Sequence, residues 1–164
     1  MIINGLQLYF EAPIKGMLQT KERLHGVSHG LGEAGYDIRI QQNIRFVPTN
    51  AVEPARVFVD GVYSPGCFCI ASAIEEFDMP DDLVGIVHDK STWARRGLSV
   101  FNTVIEPGWK GFLTLELVHH GWQELVIPAG SGIAQVIFHR TAVKTSYDGK
   151  YQNQPNRPVG AING

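Results

Sequence analysis

The sequence lacks an excess of either charge and lacks any long hydrophobic run. Its 164 residues include 14 Lys and Arg against 16 Asp and Glu, a formal net charge of −2 at pH 7. This balance supplies no broad positive field for a polymeric nucleic acid or an anionic membrane, although a single nucleotide needs only a few donors. No apolar run approaches the roughly 18 residues that span a bilayer, and the N-terminus has no basic start. We therefore expect a cytoplasmic protein that binds neither a membrane nor a nucleic-acid polymer.

Cysteine is equally scarce. Cys67 and Cys69 stand two positions apart, so on a strand they share one face at about 6.5 to 7 Å, at or beyond comfortable disulfide reach. Buried free thiols are the favoured interpretation, ahead of metal binding or redox chemistry. The HxE and PCxxC signature of zinc deaminases is also absent from the sequence. Any catalysis is therefore expected to proceed without zinc.

Turn residues are abundant by contrast, because 18 glycines and nine prolines divide the chain into short apolar or alternating runs. Such runs, rich in Val, Ile, Phe and Thr, are typical of an all-β sandwich or barrel. The predicted strands are GYDIRI, RVFVDG, CFCIASAI, LVGIVH, LSVFNTVI, GFLTLELV, ELVIPAG and GIAQVIFHR. With 44% hydrophobic residues, a chain of this length is expected to form one compact core.

Two segments could form short helices, and the C-terminal tail has a different character. The helix candidates are LQTKERL at 18–24 and STWARR at 91–96, which follows Asp89 as a potential cap and ends at Gly97. The tail from Thr145 is polar and rich in Gln and Asn. Because such a tail frays by default, we expect order in it only where a ligand or a neighbouring subunit supplies contacts.

One carboxylate stands in the middle of an otherwise apolar strand. In GFLTLELV the period of two places the leucines on one face, towards the core, and Glu116 on the other face beside Thr114 and Phe112. An aromatic wall there can exclude water and raise the pKa of the Glu116 carboxyl, a setting suited to a general acid or base. The alternative is a solvated strand face, which this stretch alone favours.

A candidate anion site precedes that strand. Ser91 and Arg95 are four residues apart and share a face of one helical turn. The start of that turn, with Lys90 and Thr92, offers backbone N–H groups, hydroxyls and an ammonium to an anion such as a phosphate. Arg95 alone could equally be a surface charge.

Two further polar residues stand near turns or inside apolar strands. The hairpin IEPGWKG has Pro107 and Gly108 in a tight turn, with Glu106 just before it. Gln135 lies within the apolar run GIAQVIF, where its amide needs partners. Pairing with backbone and binding of a ligand both satisfy that need.

Several separate motifs, taken in order, resemble the dCTP deaminase and dUTPase superfamily, and more closely its dCTP deaminases. They extend from about Gly35 to Gln154 and are EAGYDIRI, SPGCFCIASAIEEFDMPDDLVGIVHDKSTWARRGL, VIEPGWKGFLTLEL, GIAQVIF and YDGKYQNQ. The resemblance implies a homotrimer of distorted β-barrel or jelly-roll-like subunits of the dUTPase type, with nucleotide sites between neighbouring chains. It implies a single nucleotide-binding β-barrel domain at 1–144 and a lid at 145–164.

The resemblance also implies catalytic roles. Residues 90–95, KSTWAR, match the family's deaminase signature, usually written around arginine, two serines, leucine, alanine and arginine. The family's essential carboxylate corresponds to Glu116, which would activate a water for attack on C4 of cytosine and pass protons to the departing ammonia. Ser91 and Arg95 would orient the water and the base.

Contacts with the rest of the nucleotide follow from the same resemblance. Mg²⁺ would accompany the triphosphate without a ligand from the protein, and zinc would have no part. The tail residues would close over the triphosphate. The residues implied in phosphate binding are Lys90, Thr92, Gln135, Tyr147, Lys150 and Gln154.

The hairpin before the catalytic strand departs from the family pattern. Glu106 stands where dCTP deaminases and dUTPases usually have Asp. In dUTPases that aspartate positions the attacking water, and one extra methylene could displace the water by about 1 Å, at a cost of roughly 100-fold. This weakens a dUTPase interpretation, whereas Glu116, which dUTPases generally lack, favours deamination. The segment 99–106 is two residues shorter than usual, so Asn102 or Thr103 is expected in place of a backbone carbonyl that helps to hold the water.

Two other departures concern the phosphates. Lys90 in place of arginine keeps the charge but loses the bidentate fork, and Pro155 and Asn156 replace the glycine that usually follows the final glutamine of the tail. The sequence is therefore interpreted as a dCTP deaminase that produces dUTP and ammonia. The alternatives are a dUTP pyrophosphatase or bifunctional enzyme that yields dUMP and pyrophosphate, and a non-catalytic nucleotide-binding regulatory protein.

Overall fold

The computed structural model describes residues 1–101 and 103–163 and consists mainly of short antiparallel strands. The strands are β1 (Ile2–Ile3), β2 (Lys21–Leu24), β3 (Val27–Leu31), β4 (Tyr36–Arg39), β5 (Ile44–Val47), β6 (Arg56–Val59), β7 (Val62–Pro65), β8 (Phe68–Asp78), β9 (Leu83–Asp89), β10 (Leu98–Val100), β11 (Val104–Ile105), β12 (Lys110–His119), β13 (Leu125–Ile127) and β14 (Gly132–Arg140). The helices are α1 (Gly5–Glu11) and α2 (Ser91–Ala94). An all-β fold with short helices is therefore confirmed.

The strands form three sheets. The largest has seven strands in the order β11-β9-β14-β4-β3-β2, with β1 added beside β14. A second sheet, β10-β12-β8, and a third, β13-β5-β6-β7, complete the structure. The α2 segment connects β9 of the first sheet to β10 of the second, the sheet that also contains β12.

Strand alternation places the core where the sequence predicts it. Leu113, Leu115 and Leu117 of β12 are buried, whereas Glu116 on the opposite face is half-buried. The regular pairing of β12 with β8 shifts between Phe112 and Thr114, so a local irregularity lies just before the catalytic candidate. A contiguous cluster of buried apolar side chains joins the three sheets.

The early helix prediction is wrong. Residues 21–24 of LQTKERL form β2, which pairs with β3 from Lys21↔Gly30 to Leu24↔Val27. His25 and Gly26 connect the two strands, and both have positive φ, 52° and 76°. A two-residue turn of this kind matches the twist of the flanking strands and fixes a hairpin. The turn chemistry and the pairing with β3 therefore override the helix propensity of Lys, Glu and Arg.

The second predicted helix is present, but its cap differs. Residues Ser91–Ala94 form α2, and Gly97 follows it with φ 86°. Lys90 occupies the N-cap position without a side-chain cap hydrogen bond. Asp89 instead accepts a hydrogen bond from the backbone N–H of Val100 at 2.7 Å. The proposed Asp89 cap is thus wrong, because its carboxylate fastens β10 to the end of β9.

The two thiols have different environments. Cys69 is buried and Cys67 is exposed, and both are free. Burial raises the pKa of the Cys69 thiol to about 12, which disfavours the thiolate form. The buried-thiol prediction is therefore right for Cys69 and wrong for Cys67. Among the described residues, no helix is long and apolar enough to cross a membrane.

Candidate active site

A cavity of about 580 Å³ opens beside the face of β12 that carries Glu116. Apolar side chains form much of its wall, including Phe68 and Ile70 of β8, Val104 of β11 and Leu113 of β12. The polar side chains that line it are Thr103, Glu106, Thr114, Glu116, Tyr147, Tyr151 and Gln154. A space of this size, mostly apolar with a few convergent polar groups, has the character of a small-molecule site.

Glu116 is the electrostatically unusual member of this lining. Its main chain is held on both sides, by pairing with Ile70 of β8 and by the N–H of Phe101, which donates to the Glu116 carbonyl at 3.0 Å. Its Oε2 is buried and has no hydrogen-bond partner among residues 1–101 and 103–163. Desolvation by burial raises the pKa of the Glu116 carboxyl, partly opposed by a hydrogen bond from its own backbone. The side chain therefore faces a cavity rather than bulk solvent.

Four other sequence-predicted residues share this cavity with Glu116. Thr103 and Glu106 come from the β11 strand region and the hairpin after it, and Tyr147 and Gln154 come from the C-terminal tail. Asn102, the alternative to Thr103, lies outside the described residues. The structure thus brings together a candidate base, a second carboxylate and part of the predicted lid within one chain.

The residues of the α2 segment do not line this cavity in their own chain. Ser91, Thr92 and Arg95 are exposed on α2. The helix itself is well anchored, because the buried indole of Trp93 donates to the Gly132 carbonyl at 2.6 Å. A cation–π contact places the Arg96 guanidinium 5.3 Å from the Trp93 ring. The exposed hydroxyls and the Arg95 guanidinium therefore project from a fixed support.

Lys90, at the start of that segment, is buried in an ion pair. Its ammonium donates to Asp37 of β4 and, at 3.0 Å, to the Ser28 hydroxyl of β3. The side chains of Lys90 and Asp37 are only 9% and 5% exposed, so the pair is almost wholly removed from water. Gln135 lies close by on β14, where it is in register with Asp37 on one side and with His88 on the other. Lys90 and Gln135 thus belong to the α2 neighbourhood and not to the Glu116 cavity.

The tail folds onto its own chain, which differs from the expectation that it needs a ligand or a neighbour. Tyr147 donates its N–H to the Pro107 carbonyl at 2.8 Å, and the Trp109 indole donates to the Tyr151 carbonyl at 2.7 Å. The Gln152 amide bridges Tyr147 to the backbone at Gly108 and Lys110. Backbone groups of the hairpin thus anchor the tail, together with Tyr147, which packs against the hydrophobic core. A count of hydrophobic residues does not predict such backbone contacts.

Lys150 lies on the outer side of the folded tail. It is exposed, and its ammonium donates to the Ile162 carbonyl and lies 5.4 Å from the Tyr151 ring. It therefore does not reach the cavity lining in its own chain.

Some site residues have only a weak sequence signal. Thr114 shares the strand face of Glu116, so its position in the cavity could be anticipated, but its partners in the tail could not. Asp37 is a carboxylate in the apolar run GYDIRI, a pattern that signals a buried partner. Val159 comes from the end of the tail, where no pattern marks a packed residue.

The fold is that of dUTPase-type proteins. The dUTPase of EIAV has a TM-score of 0.52 and 18% identity, with 82% of this chain and 94% of that chain covered. A dUTPase variant from phage phi11 of S. aureus, whose structure contains a structural Mg(II) ion, has a TM-score of 0.52 and 14% identity over 80% of this chain and 89% of that one. The 2′-deoxycytidine 5′-triphosphate deaminase of Agrobacterium tumefaciens has a TM-score of 0.58 and 17% identity, with 86% of this chain and 48% of that chain covered. At these identities the likeness establishes the fold.

Sequence comparison is more specific. A dCTP deaminase-like sequence family matches residues 14–141. The chain is 33% identical over 165 residues to the dCTP deaminase of Acidobacterium capsulatum, with 88% of this chain and 90% of that protein covered. The chain therefore belongs to the dCTP deaminase-like family.

Proposed function

We propose that the protein hydrolyses dCTP to dUTP and ammonia, with Glu116 as the group that moves protons. One observation carries the assignment: a carboxylate oxygen that is buried beside a nucleotide-sized cavity and has no partner within the described chain. An unpaired buried carboxylate costs stability, so its presence calls for a functional explanation. Membership of the dCTP deaminase-like family supplies the substrate class.

The proposed reaction uses the ionised Glu116 as a base and then as an acid. The carboxylate removes a proton from water while the water oxygen bonds to C4 of cytosine; the π electrons of the C4=N3 bond move to N3, which takes that proton from the carboxyl, and C4 becomes tetrahedral. The regenerated carboxylate then transfers the remaining hydroxyl proton to the exocyclic amino group, so that C4=O forms as the bond from C4 to the amino nitrogen breaks and ammonia leaves. Desolvation by the cavity wall makes the carboxylate more basic, which suits proton transfer near neutral pH.

Ser91 and Arg95 would reach this chemistry from a neighbouring subunit of a homotrimer. In their own chain they are exposed and lie outside the Glu116 cavity, while Trp93 fixes the helix that carries them. A rigid, exposed pair of this type suits presentation to an adjacent copy, where the hydroxyl would orient the water and the guanidinium the base. Thr103 would hold the water from the side of β11.

The triphosphate would lie between the tail and α2, accompanied by Mg²⁺ that the phosphate oxygens hold. Among the described residues, no three His, Cys, Asp or Glu side chains are grouped to hold a metal ion, so the phosphates would supply the main ligands. Tyr147 and Gln154 already line the cavity. Thr92, Gln135 and Lys150 would complete the contacts, and Lys90 would do so only after it leaves Asp37. Residues 1–144 would form the nucleotide-binding domain and 145–164 its lid, in a cytoplasmic protein.

Replacement of Glu116 tests the assignment directly. Glu116→Gln preserves shape and removes the proton acceptor, so release of ammonia from dCTP should fall by at least about 100-fold, the effect expected for a general base. Glu124→Gln is the matched control, because Glu124 is an exposed carboxylate that pairs with Arg45. Near wild-type ammonia release by the Glu116 variant would refute the proposal. Tight dCTP binding without turnover by the wild-type protein would favour the regulatory alternative.

A second candidate activity is hydrolysis of dUTP to dUMP and pyrophosphate. The supporting observation is that Glu106 lines the same cavity as Glu116, where a carboxylate could orient a water towards the α-phosphate. Incubation with dUTP and Mg²⁺, followed by measurement of pyrophosphate, separates the candidates. A deaminase alone yields none, whereas a bifunctional enzyme yields pyrophosphate that Glu106→Gln abolishes and Glu116→Gln leaves in place.

A further inference from the structure

The last residues of the chain form part of the wall around Glu116. Val159, Gly160 and Ala161 line the same cavity as the carboxylate, although they lie 40 or more positions along the chain from β12. The segment 154–161, here called the C-terminal segment, therefore forms part of the wall of the site within its own subunit. Its position depends on contacts with β12.

Thr114 makes that connection with a single hydroxyl group. The backbone N–H of Val159 donates to Thr114 Oγ1 at 3.0 Å, and the same hydroxyl donates to Gln154 Oε1 at 3.2 Å. The two contacts fasten both ends of a six-residue stretch of the tail. Because Thr114 is only 8% exposed, water competes poorly for these groups.

The backbone next to Thr114 is shaped for the same purpose. Gln154 forms a parallel bridge with Gly111, and the N–H of Phe112 donates to the Gln154 carbonyl at 3.1 Å. A Cβ on Gly111 would lie 2.5 Å from the Gln154 nitrogen and 2.7 Å from its oxygen. A glycine at this position is therefore required for so close an approach.

We infer that Thr114 is a positioning residue that latches the C-terminal segment against the cavity and so limits the access of bulk water, beyond the one reacting water, to Glu116. Thr114 and Glu116 are two residues apart on one strand face, so release of the segment at Thr114 opens the space directly beside the carboxylate. The kinetic consequence of this role rests on the proposed deamination of dCTP. The docking of the segment does not depend on it.

Two pairs of variants test the two partners of this hydrogen bond, the Thr114 hydroxyl and the Val159 backbone N–H. Thr114→Val removes the hydroxyl at nearly constant volume, and Thr114→Ser retains it. Val159→Pro removes the donor N–H on the other side and also fixes φ at that position, and Val159→Ala retains the donor with a smaller side chain. Hydrogen–deuterium exchange of peptides from residues 152–163 reports the docking. We expect exchange about tenfold faster in Thr114→Val and Val159→Pro, consistent with loss of one or two hydrogen bonds, and wild-type exchange in Thr114→Ser and Val159→Ala.

A kinetic measurement then distinguishes positioning from simple structural support. In Thr114→Val the acid limb of the pH profile of kcat/KM for dCTP should move to lower pH, because bulk water that reaches Glu116 lowers the pKa of its carboxyl towards the ordinary value. Thr114→Ser should show the wild-type acid limb. Wild-type exchange in both Thr114→Val and Val159→Pro would overturn the latch, as would faster exchange with an unmoved acid limb. If the wild-type protein released no ammonia from dCTP, the proposed function would fail, while the exchange data would still decide whether the latch exists.

Discussion

Thr114 and Glu116 lie two residues apart on the same face of β12 and line the same cavity, yet their polar atoms have opposite environments. The Thr114 hydroxyl both donates and accepts a hydrogen bond. Glu116 Oε2 has no partner within the part of the chain that the structure describes. The Thr114 hydroxyl, which holds the tail, therefore has hydrogen-bond partners, whereas Glu116 Oε2, which faces the cavity, has none among the described residues.

The first prediction concerns the pH dependence of deamination. Desolvation raises the pKa of the Glu116 carboxyl, and a base acts only when ionised. We therefore expect kcat/KM for dCTP to fall as the pH decreases through this raised pKa and to level off above it. The measurement is ammonia release over a pH series with a check of protein stability at each pH. An inflection at the pKa of an ordinary exposed glutamate would contradict the assignment.

The second prediction concerns stability. A carboxyl whose pKa is higher in the folded than in the unfolded protein favours folding when protonated, and this contribution is lost as the pH rises from the unfolded to the folded pKa. At pH 7, Glu116→Gln should therefore increase the free energy of unfolding, by on the order of 1 kcal/mol for removal of an unsatisfied buried charge. Chemical denaturation at fixed protein concentration measures the change.

The increase in the stability of Glu116→Gln should shrink as the pH approaches the acidic range, because the wild-type carboxyl is then protonated too. Glu124→Gln provides the contrast. Its carboxyl has a pKa lowered mainly by a hydrogen bond from Arg45, so its neutralisation should not stabilise the protein. A gain in both variants would point to net charge rather than to the cavity.

The third prediction tests whether sites are shared between subunits. If Glu116 acts with Arg95 of a neighbouring chain, Glu116→Gln and Arg95→Gln should each be nearly inactive alone but should complement one another in mixed trimers. Random assembly of equal amounts leaves about one quarter of the sites with both native residues, as follows for a cyclic trimer in which each site joins two chains. Co-refolding followed by an ammonia assay measures the recovery.

A matched mixture provides the control for complementation. The Glu116→Gln variant is mixed with a double variant that carries both Glu116→Gln and Thr103→Val. This mixture should recover no activity, since both chains lack the same carboxylate. Recovery only in the mixture with Arg95→Gln assigns the two residues to different chains of one site. If both single variants are inactive and that mixture recovers no activity, with trimers confirmed by sizing, Glu116 and Arg95 of one site come from the same chain. An active Arg95→Gln variant would place Arg95 outside the site.

Much of the fold follows from local pattern, and the exceptions have physical causes. Seven of the eight apolar runs contain a strand, and Leu113, Leu115 and Leu117 are buried as alternation requires. The eighth, LSVFNTVI, is predicted as one strand but contains two, β10 and β11, which belong to different sheets. The mistaken helix at 18–24 arose because propensity reflects single residues, whereas a hairpin turn at His25 and Gly26 and the pairing with β3 decide the conformation.

Some features of the candidate site likewise follow from local sequence pattern, and others do not. The position of Glu116 opposite the leucine face follows from a period of two. The partners of Thr114, the ion pair of Lys90 and the docking of the tail depend on contacts between residues 40 or more positions apart, and no local pattern encodes such contacts. The resemblance to a family supplied those roles that local pattern could not.

The fourth prediction concerns Gly111. Gly111→Ala places a Cβ against backbone atoms of Gln154, at 2.5 to 3.1 Å, and Gly111 itself has a φ of 128° that side chains rarely adopt. Backbone atoms cannot move aside as a flexible side chain can, so the tail should detach while the sheets remain. Faster hydrogen exchange at 152–163 with an unchanged far-UV spectrum is the expected result. Gly61→Ala is a suitable control, because Gly61 also has a positive φ of 80° but has open space around it.

The last prediction concerns the buried pair of Lys90 and Asp37. Asp37→Asn leaves a buried ammonium without its counter-charge, so the free energy of unfolding should fall by about 3 kcal/mol, the usual cost of breaking such a pair. Replacing both residues by apolar ones, Lys90→Met with Asp37→Leu, should recover most of that loss because no unpaired charge remains. Denaturation curves of the wild type, Lys90→Met, Asp37→Leu and the double variant form a complete cycle.

An exposed ion pair of the same protein provides the control for the buried pair. Lys15 and Glu76 are 55% and 39% exposed, so Glu76→Gln should cost less than about 1 kcal/mol. Comparable losses in Asp37→Asn and Glu76→Gln would mean that burial adds nothing to the Lys90 pair. A large loss in the single variant with recovery in the double variant would show that the loss comes from the unpaired buried charge, and that apolar packing can replace the ion pair directly before Ser91.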